Sequence, residues 1–180
     1  MNTLVITIAL LCLPMASIAQ KVNLEIKIVP IIAPKEAVEA RFDGTVLTMA
    51  KGDQKAAQVR LSAKNQENIR KAILAVPTKQ WNGYWASLNY LDGSIILARL
   101  ELDGQKFEFR GTNGCPPKFS RVLAAIYEAA KDPLFTGGWE EMERSSKRYE
   151  SFDAFTRTAT DSPNKKVASC VTLNKVAQIT

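Results

Sequence analysis

The sequence predicts an α+β fold, an antiparallel sheet of about five or six strands packed against two main helices. Three observations predict it. Apolar and polar residues alternate in several short runs, the period of a strand with one buried face. Two longer runs place apolar residues three and four apart, as an amphipathic helix does. The links between the strand-like runs are short and include Asp-Gly pairs, which suits antiparallel neighbours and leaves no room for parallel crossovers.

Along the chain, Val22, Leu24, Ile26 and Ile28 alternate with Asn23, Glu25 and Lys27, and Pro30 and Pro34 close this first strand. Glu36 to Ala40 carries no clear period. Phe42-Asp43-Gly44 forms a turn, Thr45 to Ala50 a second strand, and Ala57, Val59 and Leu61 mark a third after Lys51-Gly52-Asp53. Ser62 can cap a helix whose inner face is Ile69, Ala72, Ile73 and Val76, and Pro77 stops it. Lys64, Glu67, Arg70 and Lys71 then form its solvated side. The aromatic run Trp81 to Trp85 follows. Tyr84 to Tyr90 is expected as a strand, joined through Leu91-Asp92-Gly93 to the strands 94–102 and 105–110 in an antiparallel meander.

The centre of the chain is the most informative stretch. Ile96, Ala98, Leu100 and Leu102 alternate with polar residues, as do Phe107 and Phe109 beyond Asp103-Gly104, whose positive φ angles suit a type I′ hairpin turn. Gly111 to Pro117 breaks the second strand. From Pro117 the apolar residues Phe119, Val122, Leu123, Ile126, Tyr127 and Ala130 make one helical stripe. The residues Asp103, Gly104, Gly111, Asn113, Pro116 and Phe119 resemble a hairpin, turn and helix pattern of small, mostly uncharacterised exported bacterial α+β domains. The resemblance covers under a quarter of the chain. It implies the fold and transfers no activity or site.

Beyond Lys131, Pro133, Gly137 and Gly138 mark a loop, and Glu140 to Phe155 is expected as a helix carrying Trp139, Met142, Tyr149 and Phe152. Thr156 to Lys166 is polar and expected to be mobile, and Val167, Ser169, Val171 and Leu173 alternate as a last strand would. Residues 20–180 are thus expected to form one domain, with 132–180 its less ordered part.

Residues 1–19 are expected to be a signal peptide. Leu4 to Leu13 is an apolar run of the right length, and Ser17-Ile18-Ala19 suits a signal peptidase. Retention as an anchor is the rival reading, against which Pro14 cuts the apolar run short. No later segment is long and apolar enough to span a bilayer. The expected address is therefore periplasmic or secreted. Cleavage removes Cys12 and leaves Cys115 and Cys170, which in an oxidising compartment are expected to form a disulfide.

The net charge of +6 is spread along the chain and makes no basic run, so nucleic acid is not an expected partner. Histidine is absent, which excludes Ser-His-Asp and Cys-His mechanisms and imidazole metal sites. Two cysteines are too few for structural zinc, and neither a metal nor a cofactor is expected. Cys115 before a helix could be an activated thiol, but the disulfide explains it better. Asp92, Glu101, Asp103 and Glu108 could supply a carboxylate pair for glycoside hydrolysis; turn roles and cross-strand pairing with Arg99 or Lys106 are the plainer account.

Two binding readings remain. Gly111 to Gly114 ahead of a helix could hold an anion with help from Arg110 and Asn113. Trp81, Tyr84 and Trp85 could stack on a sugar or a partner side chain, although such a cluster is more often the edge of a core. Catalytic residues are not assigned. The expected function is that of an exported, non-enzymatic binding domain of the bacterial envelope, an immunity or inhibitor-type protein being one form. Its partner would be a protein or an anionic envelope component, since the basic charge disfavours cationic targets. The alternative is an envelope glycan hydrolase using a carboxylate pair.

Overall fold

The computed structural model describes residues 21–87, 93–131 and 139–160. Among them are eight strands in one sheet and four α-helices. The strands are β1 (Val22–Pro30), β2 (Val38–Phe42), β3 (Val46–Lys51), β4 (Ala57–Arg60), β5 (Gly83–Ala86), β6 (Ser94–Leu102), β7 (Gln105–Thr112) and β8 (Lys147–Tyr149). The helices are α1 (Ala63–Ala75), α2 (Phe119–Ala130), α3 (Trp139–Ser145) and α4 (Phe152–Thr160). The sheet order is β4-β3-β2-β1-β6-β7-β5-β8.

The α+β character holds, but the sheet is larger than expected and is mixed. The expected antiparallel meander of strands 84–90, 94–102 and 105–110 is corrected. β6 and β7 form the hairpin, whereas β5 lies on the far side of β7 and runs parallel to it. The reason is geometric. A crossover is required only when two parallel strands are joined directly, and here β6 lies between β5 and β7 in the chain. From the end of β5 to the start of β6 is a step of two strand spacings, about 10 Å, past the end of β7. Backbone bonds secure the step: Ser87 N–H donates to the Thr112 carbonyl (3.2 Å) and Asn113 N–H to that of Ser94 (2.9 Å). Residues 88–90 of the expected strand, and Asp92 with them, lie outside the described residues.

Several local expectations are met. Asp103 (φ 50°) and Gly104 (φ 82°) both occupy the left-handed region that a type I′ turn requires. The Ser62 hydroxyl accepts the Asn65 N–H at 3.2 Å, capping α1. Ser62→Ala is expected to cost about 1 kcal/mol, seen as a lower urea midpoint at constant slope. The residues without clear period resolve into a 3-10 turn (Pro34–Glu36) and β2.

One face of the sheet carries the main core. Leu24, Ile26, Ile28, Ala40, Ile96, Ala98, Leu100 and Phe109 meet Ile69 and Ile73 of α1 and Phe119, Val122, Leu123 and Ile126 of α2. Every one of these is buried. α1 and α2 also pack on each other, and α3 packs on α2.

The expected helix from Glu140 to Phe155 is likewise corrected. It is broken into α3, β8 and the start of α4. Trp139 belongs to the main core, whereas Phe152 and Phe155 pack with Tyr84, Ala86 and Tyr149 in a second cluster. Tyr84 and Ala86 alternate with Trp85, a main-core residue, so the second cluster lies on the opposite face. A straight helix cannot reach both faces. The chain instead crosses at the sheet edge, pairing β8 with β5 on the way. The Ser145 hydroxyl helps end α3 by donating to the Glu141 and Met142 carbonyls at 3.0 and 3.2 Å. Thr156 to Thr160, expected to be mobile, continue α4. The expected last strand, Val167 to Leu173, lies outside the described residues.

Candidate functional site

α4 covers the second face of the sheet only at the β5–β8 edge. Among the described residues nothing covers the rest of that face, across β2, β1, β6 and β7, which carries the polar half of each strand's alternation. Register arranges it in rows. Arg41, Glu25, Arg99 and Glu108 are successive cross-strand partners in one row. Glu39, Lys27, Leu97, Arg110 and Tyr84 form the next.

Opposite charges meet within and between these rows. Lys27 Nζ lies 2.8 Å from Glu39, Arg41 Nε 3.6 Å from Glu25, and Arg99 Nε 2.9 Å from Glu108. Arg110 Nε stands 3.8 Å from Glu108. The Lys27 hydrogen bond, foremost, holds the Glu39 carboxyl below its ordinary value, and Glu108 raises Arg99 further.

Three concavities lie side by side on this face. One of about 240 Å³ is bounded by Glu25, Lys27, Glu39, Arg41, Leu97 and Arg99. The largest, about 570 Å³, lies toward the β6–β7 turn and includes Glu25, Asn82, Glu101, Lys106 and Glu108. The third, about 250 Å³, lies at the other end, between Lys27, Val29, Ile95, Leu97, Arg110 and the wall formed by Tyr84 and Thr112. Burial pushes the Tyr84 phenol up to about 12, and its hydroxyl is hydrogen-bonded to that of Thr112, so the wall stays neutral.

Glu101 and Glu108, the expected carboxylate candidates, both line the largest concavity. Glu108 is taken up by Arg99 as expected, while Asn23 Nδ2 donates to Glu101 at 3.5 Å. Asp103 accepts the Lys21 N–H at 3.0 Å and serves the turn.

The binding residues expected from sequence are not brought together. Trp81 is fully buried, its ring against Phe109 and Phe119. Trp85 is also in the main core, with Nε1 donating to the Gln80 carbonyl at 3.2 Å. Tyr84 is buried on the other face beneath α4. With the three rings divided between two cores, none is presented for stacking.

The expected anion site is corrected as well. Arg110 lies on the open face, whereas α2 begins on the core face. Asn113 is buried, and its side chain fills the space a Cβ on Gly93 would need. The N-terminus of α2 already holds an anion, the carboxylate of Glu143 from α3. It accepts the Lys118 N–H at 2.6 Å and the Ser120 N–H at 3.0 Å.

Cys115 is a free thiol, wholly buried. Burial foremost, and then the Glu143 carboxylate, push its pKa well above the ordinary value, the reverse of an activated nucleophile. Cys170, its expected disulfide partner, lies outside the described residues. Among the described residues, no group of three or more acidic or cysteine side chains could hold a metal ion. None of the described helices is long and apolar enough to cross a membrane. Comparison with protein-family models, curated proteins and solved structures returned no match.

Lys27 and Leu97 were not distinguishable as site residues in the sequence. Each is one alternate position of its own strand, and only the register β1-β6-β7 sets them beside Arg110.

Proposed function

We propose that the protein is an exported, non-enzymatic binding domain of the bacterial envelope, of the immunity or inhibitor type, and that it engages its partner through the open sheet face. The observation that carries this reading is the run of three concavities along a face that no described helix covers across β2, β1, β6 and β7. An antiparallel sheet commonly leaves one face to solvent. Here one row of that face alternates in charge, and the next sets Glu39 and Lys27 on one side of Leu97 and Arg110 on the other. Exposed ion pairs contribute only about 0–1 kcal/mol each to stability, so stability alone does not account for the pattern. A fixed charge pattern does select a complementary partner and speed its encounter. Export rests on the leader-like segment, and the basic net charge favours an acidic protein or an anionic envelope component. Hydrolysis by Glu101 and Glu108 is disfavoured because two guanidinium groups compete for Glu108.

Affinity capture from envelope extract at low salt tests the reading. The native protein is expected to retain a partner that the face variant Glu25→Lys/Arg99→Glu loses. A control reversal on α1, Glu67→Lys/Lys71→Glu, inverts an ion pair of 3.4 Å elsewhere and should retain it. Capture indifferent to the face variant, or no retained partner at low salt, would overturn the proposal.

A further inference from the structure

We propose that the groove between Lys27 and Arg110 binds a single-chain anionic amphiphile, an acyl carboxylate, with its head between the two cations and its chain along Val29, Ile95 and Leu97. The inference rests on the reading of this face as the binding surface and names the ligand class of one part of it.

The three concavities differ in charge. Carboxylates line the first two, whereas the third has two cations and no carboxylate among its lining residues. Lys27 and Arg110 are the cross-strand partners of Leu97 on either side, so the two cations flank one apolar residue. Their backbones stand two strand spacings apart, about 10 Å, and both side chains are long enough to converge above Leu97. Val29 and Ile95 are paired one step further along the same face, and both are half-buried. The groove therefore has a cationic end and an apolar floor.

The carboxylates that meet these cations approach from outside the groove. Glu39 reaches Lys27 from β2, and Glu108 stands beside Arg110 along its own strand. An ammonium has three donors and a guanidinium five, so a ligand carboxylate can be accepted without dismantling either pair. The Tyr84 and Thr112 hydroxyls are hydrogen-bonded to each other at the groove wall.

The occupant follows from what a sheet face lacks. Its backbone N–H and C=O groups are used in the ladder, so an extended peptide lying here would find no partners for its own amides. An acyl chain needs only apolar contact, and its polarity is confined to one anionic end. A groove of about 250 Å³ accepts a chain of modest length.

Calorimetric titration with octanoate and decanoate, below their micelle concentrations, tests the proposal. Acetate and 1-octanol serve as head-only and chain-only controls. Decanoate is expected to bind saturably and about tenfold more tightly than octanoate, as two buried methylenes would give. Lys27→Gln/Arg110→Gln is expected to weaken decanoate about tenfold or more while leaving the weak 1-octanol binding unchanged. Amide shifts in the NMR spectrum should cluster at residues 27–29, 95–97 and 110–112. No saturable decanoate binding in the millimolar range, equal affinity in the double variant, or shifts centred on α1 and α2 would each overturn it. The outcomes separate this ligand from the broader reading. If decanoate fails while Glu25→Lys/Arg99→Glu still abolishes partner capture, the acyl ligand alone falls. If decanoate binds as described and capture ignores the face variant, the groove stands and the macromolecular partner falls.

Discussion

Replacing Trp81 by alanine is expected to remove about 3–5 kcal/mol of stability, the usual cost of truncating a buried large aromatic residue. Trp81 is fully buried where the chain leaves a 3-10 turn (Thr78–Gln80) and enters the sheet. Its ring lies 5.8 Å from Phe109 and 5.5 Å, edge-on, from Phe119, and those two rings meet edge-on at 4.8 Å. One side chain thus joins β7, α2 and the α1–β5 link, and its removal opens a cavity at their meeting point. Against a typical total of about 5–15 kcal/mol, the loss leaves a marginal domain. Trp81→Phe is expected to cost clearly less than the alanine change, because it leaves a smaller cavity. It keeps a ring in place and removes an indole N–H that has no partner among the described residues. Urea unfolding at constant slope measures both. A Trp81→Ala midpoint close to the native one would mean that the ring does not hold the core.

The Trp81 to Trp85 run also shows what the sequence could and could not convey. Its composition already suggested a core edge, because aromatic residues at a helix-to-strand junction have apolar area to bury. It did not convey that a second core would meet Tyr84 on the opposite face, since that depends on α4 crossing the sheet edge far along the chain. The same limit explains the misplaced neighbour of β5. The β6–β7 hairpin is specified by Asp103 and Gly104 in four consecutive residues, and α1 by Ser62 and the spacing of Ile69 and Ile73. These are local devices and local reading finds them. Whether β5 lies beside β6 or β7 is decided by packing, in which Trp85 joins the main core and Tyr84 the second one. The charged residues of the open face were each legible as the polar side of a strand. Their arrangement in rows was not, because a row belongs to several strands at once. Arg110 was legible for a reason that does not hold, its nearness in sequence to the start of α2.

Loss of the Glu143 carboxylate is expected to be the most damaging change outside the buried core. Pro116 and Pro117 have no N–H to offer, and Lys118, at φ 71°, makes no side-chain cap of its own. The first turn of α2 therefore depends on an acceptor from elsewhere, and Glu143 supplies one oxygen to Lys118 and the other to Ser120. The Cys115 N–H is met from the same segment, by the Ser146 hydroxyl at 3.0 Å. Glu143→Ala removes the cap of one exposed and one part-buried donor at a helix end that favours negative charge, at a cost of about 0.5–2 kcal/mol. Glu143→Gln keeps an acceptor and loses the charge, and about half that cost is expected. Because these bonds run between α2 and α3, their loss should free α3, and then β8, before the hairpin and α1 are affected. Hydrogen exchange should show this as lost protection at Cys115, Lys118 and Ser120 with little change in β6 and β7. A double-mutant cycle with Ser146→Ala should show coupling, since both side chains clamp the same turn. A Glu143→Ala variant within about 0.5 kcal/mol of the native protein would remove the clamp from the account. The donors that hold this carboxylate belong to Lys118 and Ser120, beyond the glycine-rich turn, and the anion at the start of α2 belongs to the chain itself.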